Sequence, residues 1–195
     1  MDARDRLRAL IAEKCVLRGD FVLASCQRSK VFFDCKRVTL DPEGIHLIAS
    51  LILDLIADLA RRDGRPINAI GGPTIGADPI VGHIAGLTWE RATQDPGTRS
   101  TAALRPLRGF LVRKVTKDHG TRRAIENDIP RGARVVIFED VVTTGGSTLE
   151  AIHSAEEAGL EVAAVACVVD REQGGEQALA RYRYYPLFKK SEFGL

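Results

Sequence analysis

The sequence predicts an α/β protein: a central, mostly parallel β-sheet flanked by helices, with a small N-terminal flap. Three observations carry this. Ala133–Phe138 and Leu160–Val169 are continuous apolar runs, as strands buried on both faces require. Stretches with apolar residues at helical spacing separate the strand-like runs. The strand-like runs end in glycines or charged residues, where a doubly covered parallel sheet places its ligand crevice.

The elements follow in chain order. Ala3 to Val16 reads as a helix with Leu7, Leu10 and Ile11 on one face. Asp20–Ser25 and Lys30–Lys36 read as two strands around the polar turn Cys26-Gln27-Arg28-Ser29. Asp41-Pro42-Glu43 supplies an N-cap, a first-position proline and a first-turn acid. The helix they start carries Ile45, Ile48, Ile52, Leu55 and Leu59 and stops near Asp63-Gly64. Pro66–Gly71 reads as a short buried strand, Ala77–Leu87 as a helix and Gly109–Val112 as a strand. After Ala133–Phe138 comes a helix over Ser147–Ala158, closed by Gly159. Tyr182–Leu187 is a last strand, assigned to the sheet edge because Pro186 lacks a donor for an inner ladder.

The 195 residues suit one domain with a full core. With 45% hydrophobic and 28% charged residues, a disordered chain is excluded. A formal charge of +2 argues against a protein that coats nucleic acid. The longest apolar run, Ile45–Ala60, is interrupted by His46, Ser50, Asp54 and Asp58 and is too short and too polar to span a bilayer. Cys15, Cys26, Cys35 and Cys167 lack C-x-x-C spacing and read as reduced thiols of a cytoplasmic protein; a Cys26–Cys35 bridge across a hairpin is the alternative. His46, His83 and His153 lack metal-ligand spacing, and Trp89 reads as a core or interface residue.

The most informative segment is Glu139-Asp140-Val141-Val142-Thr143-Thr144-Gly145-Gly146-Ser147. A buried strand delivers two acids to the sheet's edge, and a Thr/Gly/Ser loop turns directly into a helix. Backbone N–H groups of such a loop, with the positive end of the helix, form a site for a phosphate monoester. Like charges repel, so the acids suit sugar hydroxyls or a magnesium ion met through water. One loop thus offers a phosphate end and a polyol end. It is neither a Walker P-loop nor a Gly-x-Gly-x-x-Gly turn. Upstream, Arg113-Lys114-Val115-Thr116-Lys117-Asp118-His119-Gly120 is a basic stretch in a long loop. A third strand end, Asp170-Arg171, offers a planar guanidinium fork.

The Glu139–Ser147 segment resembles the phosphoribosyl pyrophosphate (PRPP) signature of type I phosphoribosyltransferases. The basic loop resembles the Arg-Lys-x-x-Lys-x-His-Gly pattern of orotate phosphoribosyltransferases, matched at Arg113, Lys114, Lys117, His119 and Gly120. Phe21–Ser25 with Phe32-Phe33-Asp34, Thr39–Gly44 and Val169-Asp170-Arg171 extend the likeness nearly end to end. The resemblance implies transfer of a phosphoribosyl group from PRPP to orotate, giving orotidine 5′-monophosphate and pyrophosphate in UMP biosynthesis. It implies Mg²⁺ carried mainly by PRPP with no direct metal site, and a homodimer with shared active sites, without nucleic-acid or membrane partners.

By the same resemblance Lys117, His119 and Asp140 are catalytic. PRPP is bound by Arg113, Lys114, Lys117, His119 and the run Glu139, Asp140, Val141, Val142, Thr143, Thr144, Gly145, Gly146, Ser147. Orotate is bound by Thr143, Arg171, Phe32 and Phe33, under a flap formed within residues 1–40 of a single 1–195 domain. Two positions depart from many relatives, which carry lysine where this chain has Ala24 and near Gly76. A purine-transferring relative and a PRPP-sensing regulator are the alternative readings; the intact basic loop argues against the regulator.

Overall fold

The computed structural model describes residues 2–22, 28–94, 105–113 and 124–195. Helix α1 (Ala3–Lys14) leads into a two-stranded antiparallel hairpin, β1 (Val16–Val22) and β2 (Arg28–Phe33). These strands lie earlier than the sequence pattern places them: Val16 leaves the helix to pair with Phe33, and Arg28 pairs with Val22. A one-turn helix α2 (Lys36–Thr39), not anticipated, closes the hairpin's base. Helix α3 (Pro42–Asp63) starts and stops as its capping residues dictate: the Asp41 carboxylate accepts from the amides of Glu43 and Gly44, and Gly64 closes it with φ 61°.

The main sheet has six strands in the order β5-β4-β3-β6-β7-β8. They are β3 (Ala69–Pro73), β4 (Arg108–Val112), β5 (Ile125–Glu126), β6 (Arg134–Val142), β7 (Glu161–Asp170) and β8 (Tyr184–Lys189). All neighbours are parallel except β4 and β5. Strand β8 is an edge strand, as Pro186 requires. Helix α4 (Asp78–Gln94) follows β3, α5 (Gly146–Glu157) follows β6, and a single turn α6 (Gly175–Ala178) follows β7. From β3 the chain moves to β4, whereas from β6 it moves the other way to β7. The sheet's switch point therefore lies between β3 and β6, and ligand crevices form outside the carboxyl ends at such points.

Two cores explain the continuous apolar strands. Val136, Phe138, Ala164, Ala166 and Val168 face α1, α3 and α4. Val135, Ile137, Val165 and Cys167 face α5. The strand period of two splits each run between the faces. Arg134 anchors the amino end of β6: 7% exposed, it donates to Asp63 at 2.6 Å, Glu161 at 3.0 Å and the Arg65 carbonyl at 2.9 Å. Among the described residues no helix is long and apolar enough to cross a membrane, and Cys15, Cys35 and Cys167 are buried free thiols. Cys26 of the alternative bridge lies outside the described residues.

Candidate active site

Two backbone close approaches seat the end of β3 between β4 and β6, beside the crevice. A Cβ on Gly72 would stand 1.8 Å from the Phe138 carbonyl oxygen, and one on Gly71 2.4 Å from the Phe110 carbonyl oxygen. Only glycine lets the end of β3 lie this close to both neighbours. The chain then turns through Thr74–Ala77 into α4 and passes directly over Asp140: a Cβ on Gly76 would lie 2.3 Å from its Oδ1.

On β6 the alternation sends the two acids to opposite faces. Glu139 shares the parity of Val135 and Ile137 and turns toward α5, where it is 8% exposed. Its carboxylate accepts from the Ser147 hydroxyl at 2.6 Å and from the Thr148 hydroxyl. Sequence reasoning grouped both acids around the ribose; the period of two divides them, and Glu139 braces the start of α5. Asp140 shares the parity of Val136 and Phe138 and faces Gly76 and the base of the hairpin. Burial pushes its carboxyl above the usual carboxylate range, while the Val141 amide and the Lys36 charge pull against that.

The loop between β6 and α5 has a geometry that can accept an anion. Gly145 takes φ 83° at the N-cap, and no side chain caps the helix. The first-turn amides thus lack a side-chain acceptor, and the space where a Gly146 Cβ would stand holds nothing nearer than Thr144 Oγ1 at 3.9 Å. Thr144 is exposed and Thr143 half-buried, while Val142 packs into the core beside Gly175 and Val141 packs against the other core. Beside this loop, Pro73, Val112, Arg113, Ser147, Glu150 and His153 line a cavity of about 490 Å³.

Arg113 follows β4 and pairs with Glu126 at 2.9 Å. The short strand β5 was missed in the sequence because it has only two residues, Ile125 and Glu126. It pairs antiparallel with β4, and the Arg113 amide donates to the Ala124 carbonyl at 2.8 Å, so both ends of the basic loop are held side by side. Lys114, Lys117 and His119 lie outside the described residues.

Arg171 follows β7, with its amide bonded to the Val142 carbonyl at 2.9 Å. Its guanidinium, 5% exposed, reaches the Val31 carbonyl of the hairpin at 3.3 Å. Burial lowers its pKa, so an anionic partner there would be favoured. The adjacent aromatics separate: Phe33 is 3% exposed in the core, its ring 5.6 Å from Phe193, whereas Phe32 sits on the hairpin's other face against Phe21 at 5.6 Å. Phe33 is thereby corrected from base-facing to core. Sequence reasoning missed Lys36, which joins Asp34 at 2.9 Å near Asp140; a Lys at the base of a short hairpin carries no signal of its own.

Comparison with known proteins bears on this geometry. A family model described as a phosphoribosyl transferase domain matches residues 95–189. Orotate phosphoribosyltransferase of Rhodopirellula baltica is 39% identical over 90% of this chain and 84% of its own. That of Streptomyces coelicolor is 37% identical over 100% and 98%. The solved Mycobacterium tuberculosis orotate phosphoribosyltransferase in complex with PRPP superposes with a TM-score of 0.73 at 31% identity, covering 100% of both chains. A Trypanosoma brucei adenine phosphoribosyl transferase, at 18% identity and a TM-score of 0.68, shares the fold alone. Near-complete coverage of the orotate enzymes, together with a phosphate-type loop at the sheet's switch point, places the chain in its family: it belongs to the orotate phosphoribosyltransferases.

Proposed function

We propose that this crevice transfers the phosphoribosyl group of PRPP to orotate, forming orotidine 5′-monophosphate and pyrophosphate in pyrimidine biosynthesis. The observation that carries it is α5 opening uncapped at the end of β6, with Asp140 on the strand's other face. The amides from Thr144 to Ser147 take the 5′-phosphate, with the backbone of Val141, Val142 and Thr143 carrying the chain from Asp140 to that loop. Asp140 holds the ribose hydroxyls and favours the positive charge that develops at C1′ as pyrophosphate leaves. Glu139 acts mainly by holding Ser147 and Thr148 in place. Lys117 and His119, with Arg113 and Lys114, neutralise the departing pyrophosphate. Arg171 takes the orotate carboxylate, with Thr143 and Phe32 along the ring.

Mg²⁺ is supplied with PRPP. Among the described residues no three His, Cys, Asp or Glu side chains are grouped to hold a metal. Asp140 fits a cation met through PRPP's own oxygens, because a nearby positive charge would ease the cost of its buried charge. That ion would stabilise charge on the leaving diphosphate.

Residues 1–40 serve as a helix and hood over the base within one 1–195 domain, and the protein works in the cytoplasm as a homodimer. An exposed stripe along the turn before α4 and the helix itself supports a dimer: Ile75 and Trp89 are 73% and 64% exposed, and Gly82 and Gly86 face open space between them.

The test is a spectrophotometric assay of orotate consumption with PRPP and Mg²⁺. Turnover that requires all three is expected. No loss of orotate, or turnover with adenine in its place, overturns the reading.

A further inference from the structure

The loop that covers Asp140 brings no charge to it. Gly76 passes so close that any side chain there would force Asp140 to move. The turn from Thr74 to Ala77 contains no Lys or Arg, so it offers the diphosphate end of the pocket no cation. Two carboxylates stand in its place, Asp140 and Asp34, and a diphosphate carrying several negative charges would be repelled by both.

The hairpin's base supplies an answer. Asp34, Cys35 and Lys36 all lie within Coulombic reach of Asp140. The Lys36 ammonium sits 2.9 Å from Asp34 Oδ1, and its side chain is 53% exposed. Arg37 shares Asp34, with Nε 3.4 Å from Oδ2. Asp34 therefore keeps a cationic partner if Lys36 turns away. Lys36 is long, exposed and, among the described residues, held to Asp34 by an ion pair that costs little to exchange.

We propose that Lys36 is a PRPP-binding residue: it leaves Asp34 and places its ammonium on the diphosphate beside Asp140, supplying the charge that Gly76 does not. This rests on the reading of the crevice as the PRPP site. An exposed ammonium at ion-pair distance is worth about fivefold to tenfold in affinity.

Calorimetric titration of the full chain with inorganic pyrophosphate and Mg²⁺ tests it without relying on turnover. For Lys36→Ala the pyrophosphate Kd and the PRPP KM should both rise about fivefold or more, with the orotate KM within about twofold and Tm within about 2 °C. Lys36→Arg should restore most of the affinity. A Kd for Lys36→Ala within twofold of the parent overturns the assignment. So does weakening that tracks a loss of Tm and is not restored by arginine, which would mark Lys36 as a structural partner of Asp34. Failure of the parent protein to consume orotate would instead count against the site reading, since the pyrophosphate titration stands apart from the base.

Discussion

Replacing Glu139 with alanine separates bracing of the helix start from direct contact with the sugar. Its carboxylate is 8% exposed and accepts from two hydroxyls, Ser147 at 2.6 Å and Thr148. A hydrogen bond to a charged group contributes about 1.5–3 kcal/mol, so Glu139→Ala should cost roughly 3 kcal/mol or more. The Thr148 hydroxyl, fully buried, would also lose its acceptor. For a domain of this size about 2–4 °C of Tm follows each kcal/mol, giving a fall of roughly 6–12 °C. Thermal unfolding followed by circular dichroism measures this, with PRPP KM measured alongside. Adding Thr148→Val to Glu139→Ala removes the orphaned hydroxyl and should recover about 1 kcal/mol. A Tm within about 2 °C of the parent, together with a PRPP KM raised more than tenfold, would refute the reasoning. Glu139 would then act on the ribose and not on α5.

Other expectations can be checked in parallel. Arg171→Ala should raise the orotate KM by tenfold or more while moving the PRPP KM little, and Arg171→Lys should not restore it, because lysine cannot present a planar fork; steady-state kinetics decide this. Gly72→Ala should lower Tm by several degrees, since its Cβ would stand 1.8 Å from backbone; a thermal melt beside the parent tests the close approach. His83 is held below its ordinary pKa by burial and by His46, 6.3 Å away ring to ring. The unfolded chain therefore binds the proton first, and stability present above about pH 6.5 should be lost as pH falls below that value. In His83→Gln the Tm loss between pH 6.5 and 5.5 should shrink.

Local chemistry made much of the fold readable along the chain. Asp41, Pro42 and Gly64 bound α3 because caps act within one turn. Continuous apolar runs became β6 and β7 because both faces of the sheet are covered. The order of acids, threonines and glycines after β6 marked the turn into α5 because a strand, a turn and a helix start are consecutive in sequence. What stayed hidden depends on partners far along the chain. Strand β5 exists only through its pairing with β4, and α2 only as the closure of the hairpin. Phe32 and Phe33 look alike until the hairpin's register sends one to the core.

The sequence alone determined that a parallel sheet would present a Thr/Gly/Ser loop and a helix start at a strand end, since period, caps and turn chemistry are local. Only the tertiary structure decided which groups meet there. It sent Glu139 and Asp140 to opposite faces, pressed Gly76 onto Asp140, brought Lys36 beside that acid, and spanned from Arg171 to Val31 across 140 residues. Such meetings follow from strand order and packing of distant segments, which no window of neighbouring residues encodes.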